Sequence, residues 1–229
     1  MRTLLLFDID GTLILSGRAG LRALNRAFHE ATAVPDAFHG INAAGRTDGF
    51  LIEEAARRAA IALTPELRSA VHERYCAILE QEILLPGEGR KAVMPGVRTL
   101  VDVLGRRDDV VLALLTGNFR QSARIKLEHF DLWSPFAFGA FADDAKDRNL
   151  LVPIALERAR QAGHDPRHER VVVIGDTPLD IECARAGGVR ALGVATGSHS
   201  VDELKAAGAF EALQDLSETA RVLELLGLR

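Results

Sequence analysis

Two aspartates flank a single isoleucine in the stretch Asp8-Ile9-Asp10-Gly11-Thr12-Leu13, directly after the apolar run at 4–7. Carboxylates this close repel, and they coexist cheaply only where a cation or hydrogen-bond donors share their charge or where one of them holds a proton. Each of those arrangements is useful in catalysis. The competing reading is an ordinary exit from a strand into a turn, where Asp and Gly are common for conformational reasons. Two further stretches repeat the theme: Thr116-Gly117-Asn118 follows the apolar run 110–115, and Gly175-Asp176-Thr177-Pro178-Leu179-Asp180 follows the run 170–174.

These side chains meet only if the elements before them are neighbouring strands of one parallel sheet. The runs at 4–7 and 110–115 and the triplet Val171-Val172-Val173 are continuous rather than alternating, which is the texture of strands buried on both faces. Helical periodicity separates them at 97–104, 122–130, 150–163 and 178–186, with further strands expected at 136–141 and 191–195 and two last helices around Leu204 and Leu223. Strand and helix in alternation imply an α/β fold, a doubly wound, Rossmann-like parallel sheet. In such a sheet the strand C-termini share one edge, where ligands bind. Four carboxylates, Asp8, Asp10, Asp176 and Asp180, are thereby expected at one edge, and such a cluster asks for a hard divalent cation such as Mg²⁺. A phosphoryl group is the substrate whose charge that ion would offset.

Between the first strand and the rest, the pattern is helical. Leu21, Leu24, Phe28 and Ala31 recur at helical spacing, as do Leu51, Ile52, Ala55, Ala56 and Ala59, and Thr64-Pro65-Glu66 announces a third helix with an N-cap, a proline in the first turn and an acid behind it. The expected division is a core of residues 1–15 and 92–229 with a helical cap, 16–91, inserted after the first strand. Gly45-Arg46-Thr47-Asp48 lies at a loop-to-helix junction within that cap, with Thr47 or Asp48 as N-cap.

Composition narrows the partners. Among 229 residues the net charge is −4 and Lys and Arg are spread along the chain, so no basic cluster is available for a nucleic acid. The seven histidines show no paired metal-binding spacing, and the two cysteines, Cys76 and Cys183, lie in helix-like stretches, which suits reduced, buried thiols and a cytoplasmic setting. No apolar stretch is long enough to span a bilayer and the N-terminal run is too short for a signal-peptide core. Exposed cap helices leave monomer or homodimer as the expected states.

Taken in order, Asp-x-Asp-Gly-Thr-Leu after a strand, Thr-Gly-Asn after a strand, a basic residue before a helix, and Gly-Asp-x-x-x-Asp after a strand resemble the four motifs of the haloacid dehalogenase superfamily. The insert is similar to the cap of its phosphoglycolate phosphatase and β-phosphoglucomutase branch. The resemblance implies a Mg²⁺-dependent phosphatase of a small phosphorylated metabolite. Asp8 would be the nucleophile, forming an aspartyl-phosphate, and Asp10 the acid that protonates the leaving oxygen and then activates water. Thr116, Gly117 and Asn118 would hold the phosphate. Asp176, Asp8 and the backbone carbonyl of Asp10 would bind the metal, and Asp180 would hold its water shell. The third motif lacks the usual proline pattern in Ala145-Lys146-Asp147-Arg148-Asn149-Leu150, leaving Lys146 and Arg148 as equal candidates for its basic residue. Arg46 would grip the far end of the substrate, or else be a surface arginine beside an N-cap. The alternatives on the same scaffold are a phosphomutase, a dehalogenase, which needs neither Asp10 nor the metal motif, and an inactive binding module.

Overall fold

A computed structural model describes residues 2–165 and 170–228. Six parallel strands form the central sheet: β1 (Thr3–Phe7), β4 (Val110–Leu115), β5 (Phe138–Ala140), β6 (Arg170–Gly175), β7 (Arg190–Val194) and β8 (Glu211–Leu213), in the order β5-β4-β1-β6-β7-β8. Register is tight at the centre, where Phe7 lies opposite Leu114 on one side and Ile174 on the other. β1 is wholly buried because both of its faces are covered. Leu5 and Phe7 enter a core with the helices α4 (Val97–Gly105), α5 (Arg120–His129) and α9 (Thr219–Leu226). Leu4 and Leu6 enter the opposite core with α6 (Leu151–Gln161), α7 (Pro178–Ala186) and α8 (Val201–Ala206). The alternation of side chains along a strand thus splits one apolar run between two layers.

The helical pattern between strands resolves into α1 (Ala19–Thr32), α2 (Asp48–Arg58) and α3 (Pro65–Glu82) around a third core that includes Phe28, Phe38, Ile52 and Tyr75. Thr47 and Thr64 are the N-caps, each hydroxyl accepting the amide three residues on (Phe50 at 3.1 Å, Leu67 at 3.2 Å). Phe119 and Ala142, from the sheet side, are buried in that third core. The chain leaves and re-enters through a short antiparallel pair, β2 (Ile14–Ser16) with β3 (Lys91–Val93), which the sequence reading did not anticipate. β8 was also absent from that reading. It is a three-residue edge strand, Glu-Ala-Leu, too short to carry a period.

Candidate active site

Because β1 sits between β4 and β6, the residues that follow these three strands are neighbours in space. This is the crevice at a topological switch point, where open α/β sheets hold ligands. The Asp8 amide donates to the Ile174 carbonyl at 2.9 Å, continuing the ladder one residue past the strand. The chain then turns at Gly11, whose φ of +92° suits glycine, and a Cβ there would lie 2.4 Å from Oδ2 of Asp176. Thr12 donates its hydroxyl proton to Oδ1 of Asp176 at 3.0 Å. Asp180 is the N3 residue of α7 and accepts from both the amide (3.0 Å) and the hydroxyl (2.8 Å) of Thr177, the N-cap.

Asp8, Asp176 and Asp180 are buried, with carboxylate oxygens within 4.8 Å of one another. Burial pushes the Asp8 carboxyl up to about 7, with Asp180 and Asp10 adding to it and Arg148 opposing. Burial also holds Asp176 well above the ordinary range, and the charges of Asp180 and Asp8 reinforce it. A cluster this reluctant to ionise needs a counter-charge. One is present: Nη2 of Arg148 donates to Oδ1 of Asp8 at 3.0 Å and to Oδ1 of Asp180, while Nη1 donates to the Gly45 carbonyl at 3.0 Å. Burial works against the Arg148 charge, but Asp180 and Asp8 outweigh it and keep the guanidinium protonated.

Of the two third-motif candidates, only Arg148 reaches this cluster. The side chain of Asp147 accepts the Asn149 amide at 2.9 Å and caps a single 3₁₀ turn, Arg148–Leu150, that swings Arg148 inward. Lys146 lies before the turn on an exposed loop and pairs with Glu53 of α2, so the expectation of Lys146 at the carboxylates gives way to Arg148. The Cys183 thiol, which burial pushes up to about 11, donates to the Arg148 carbonyl at 3.0 Å and helps fix that turn.

Asp10 faces a different set of groups. Its Oδ2 accepts from Lys126 Nζ at 2.7 Å and from Asn118 Nδ2 at 2.8 Å, so of the four carboxylates expected at this edge three group together and that of Asp10 stands apart. Asn118 also donates to the Thr116 hydroxyl oxygen at 2.8 Å and accepts from Lys126 at 2.6 Å. Lys126 was not singled out beforehand. Its signal was there, because the buried positions of α5 are Ser122, Ala123, Lys126 and Leu127, an inward stripe on which a lysine needs a partner.

The helical insert touches this edge through the junction 45–48. The Asp48 amide donates to the Gly117 carbonyl at 2.7 Å, and the Thr47 hydroxyl donates to the Lys146 carbonyl at 3.1 Å. Oδ2 of Asp48 accepts from the Phe119 amide (3.0 Å) and the Ser122 hydroxyl (3.1 Å), and burial lifts this carboxyl to about 6. A Cβ on Gly117 would lie 2.1 Å from the Arg46 carbonyl oxygen, which is backbone and cannot swing aside. Gly117→Ala is therefore expected to unseat the 45–48 junction and to destabilise the fold by about 1–3 kcal/mol, read as a lower denaturation midpoint in urea. Arg46 itself is exposed, its guanidinium stacked 4.7 Å from the Phe50 ring centroid at the rim of the cleft. Sheet edge and insert together enclose a cleft of about 690 Å³ bordered by Asp8, Asp10, Thr116, Asn118, Arg148 and Asp176 below and by Gly20, Leu24, Leu51 and Tyr75 above.

Comparison with known proteins agrees with this geometry. The family model for haloacid dehalogenase-like hydrolases matches residues 5–185. The chain is 29% identical over 208 residues to "Probable phosphatase IndB" of Dickeya dadantii, covering 90% of this chain and 87% of that protein. It is 30% identical over 200 residues to the phosphoglycolate phosphatase of Mesorhizobium japonicum, covering 84% and 82%. A hydrolase from Pseudomonas syringae of known structure superposes with a TM-score of 0.69 at 20% identity, over 98% of this chain and 99% of that one, and shares the fold. With a buried acidic cluster at the switch point of a parallel sheet and a family match spanning most of its length, the chain belongs to the haloacid dehalogenase-like hydrolases.

Proposed function

We propose that the protein is a Mg²⁺-dependent phosphatase of a small phosphorylated metabolite, phosphoglycolate-like or a sugar phosphate, and that residues 16–91 act as a cap over its active site. The observation that carries this reading is the convergence of Asp8, Asp176 and Asp180 on one buried point, where Asp8 and Asp176 border the cleft. The donor set fits the metal: it is made of carboxylate oxygens alone, and burial makes ionising Asp8 and Asp176 costly unless a further cation joins them. Asp8 and Asp176, with the Asp10 carbonyl, would hold Mg²⁺, Asp180 would support it, and the ion would offset charge on the phosphoryl oxygens.

In this reading an Asp8 oxygen attacks phosphorus, a P–O bond to the aspartate forms, and the bond to the leaving oxygen breaks. Asp10 delivers a proton to that oxygen, then takes one from the water that cleaves the aspartyl-phosphate and returns free phosphate. Arg148 orients Asp8, and Thr116 with Asn118 and the backbone at Gly117 receives the phosphoryl oxygens. The cap excludes bulk water and bulky substrates. The buried free thiols accord with a cytoplasmic protein.

The test is phosphate release from a panel of small phosphate esters with and without Mg²⁺. Turnover that survives chelation, or conversion of a hexose 1-phosphate to its isomer in place of free phosphate, overturns the reading. Asp176→Asn is expected to move the midpoint of the Mg²⁺ activation curve up by at least about tenfold, a change that even loss of a group supporting a metal ligand can produce. An unchanged titration removes Asp176 from the ligand set.

A further inference from the structure

Gly20 is a glycine where the backbone does not require one. It lies in the first turn of α1, is buried, and is not among the residues with positive φ. Alanine is the more stable residue at such a helical position. What the missing methyl allows is close approach: a Cβ at Gly20 would lie 3.1 Å from both Cε and Nζ of Lys126 and 3.5 Å from Oη of Tyr75, so the bare backbone lets these two groups stand side by side at the cleft wall.

Both groups have something left to donate. Lys126 directs two of its three N–H donors to Asp10 and Asn118, and no partner for the third occurs among the described residues. Tyr75 Oη is wholly buried and has no hydrogen-bond partner. Ser122 is its polar neighbour and donates to Asp48 or to the Phe119 carbonyl, but its oxygen does not come within hydrogen-bond geometry of Tyr75 Oη. Burial holds the phenol well above its ordinary range, so the hydroxyl stays a donor. A buried hydroxyl left unpaired is costly, and Gly20, Lys126 and Tyr75 all border the cleft.

We propose that Gly20, Lys126 and Tyr75 form a recognition slot for an acceptor oxygen, carboxylate or hydroxyl, on the carbon next to the phosphorylated carbon of the substrate. The slot rests on the phosphatase reading, because that reading fixes where the ester lies. If Asp10 protonates the leaving oxygen, a group 2.7 Å from the Asp10 carboxylate is within reach of the neighbouring carbon's substituents. A two-carbon unit spans the gap. An analogue without that oxygen would strand two buried donors, the arrangement that gives polar sites their strongest discrimination.

The experiment compares kcat/KM at saturating Mg²⁺ for 2-phosphoglycolate, glycerol 1-phosphate and ethyl phosphate, the last having no acceptor oxygen. Wild-type protein is expected to prefer one of the first two over ethyl phosphate by about 100-fold, and the preferred ester says whether the slot takes a carboxylate or a hydroxyl. Tyr75→Phe should cut that preference by about tenfold, mainly through KM. Gly20→Ala should remove most of it as well, because its methyl would stand 3.1 Å from Cε and Nζ of Lys126 and displace that side chain, and Tyr75→Phe is the variant that tests the slot without adding an atom. Equal turnover of all three esters, or a preference that both variants retain, overturns the slot and leaves the phosphatase reading standing. Inertness toward every phosphate ester overturns both.

Discussion

Asp8→Asn will reduce phosphate release by at least about 10⁴-fold, the scale on which loss of a nucleophile acts, while leaving the fold intact. The substitution is nearly isosteric and falls just past the buried end of β1, at the cleft, so its cost must be sought in chemistry rather than packing. Its effect on stability has a definite sign. The Asp8 carboxyl titrates near 7 in the folded chain against about 3.8 for an ordinary aspartate, so the folded state binds this proton more tightly than the unfolded state. Without metal, ionising Asp8 therefore removes stability as pH rises from about 4 to about 7. The loss is complete above that window. Asparagine at position 8 does not ionise, and the metal-free variant at pH 8 should melt no lower than wild type. Added Mg²⁺ should raise the wild-type Tm and raise that of the variant less. Normal turnover by Asp8→Asn in Mg²⁺ would end the covalent mechanism, and an Asp8→Asn protein that melts well below wild type in chelator would show that the acidic cluster is not strained.

Much of this arrangement is legible without coordinates, for a physical reason. Strands buried on both faces are written as unbroken apolar runs, and the polar residue just after each run, Asp8, Thr116 or Asp176, stands out against them although it too is buried. The parallel sheet then does the assembly. What sequence hides is whatever depends on which way a side chain turns once the elements are placed. Asp8 and Asp10 are two residues apart, yet one meets Arg148 and the other Lys126, because β1 ends at Phe7 and strand alternation no longer holds the two on one face. Lys126 and Tyr75 reach the cleft from helices whose apolar stripes are otherwise ordinary core. The edge strand Glu211–Leu213 and the pair Ile14–Ser16 with Lys91–Val93 are three residues each, below the length at which a period can be recognised. The 45–48 junction was legible as a helix start but not as a clamp, since its hold on Gly117 is made through backbone atoms.

The choice between Lys146 and Arg148 shows the same limit and supplies the sharpest contrast between two variants. Both are basic residues in one loop, two positions apart, and composition treats them alike. Arg148 has 8% of its side chain exposed and bridges two buried carboxylates, whereas Lys146 is 57% exposed and faces Glu53, itself 40% exposed. Arg148→Met takes from the buried Asp8 and Asp180 the cation they share, an omission that costs about 3–5 kcal/mol. Equilibrium unfolding in chelator should show that loss, and Mg²⁺ should restore part of it by supplying positive charge to the same carboxylates. Turnover should fall by about 100-fold or more, since under the proposed mechanism the donor that orients the Asp8 carboxylate is gone. Lys146→Met removes a solvated pair, and its stability change should stay within about 1 kcal/mol with turnover close to that of wild type. Should Lys146→Met be the inactive variant and Arg148→Met the silent one, the inward turn at Arg148–Leu150 would not be the conformation in which the protein works, and the charge balance assigned to the three aspartates would have to be drawn again around a different cation.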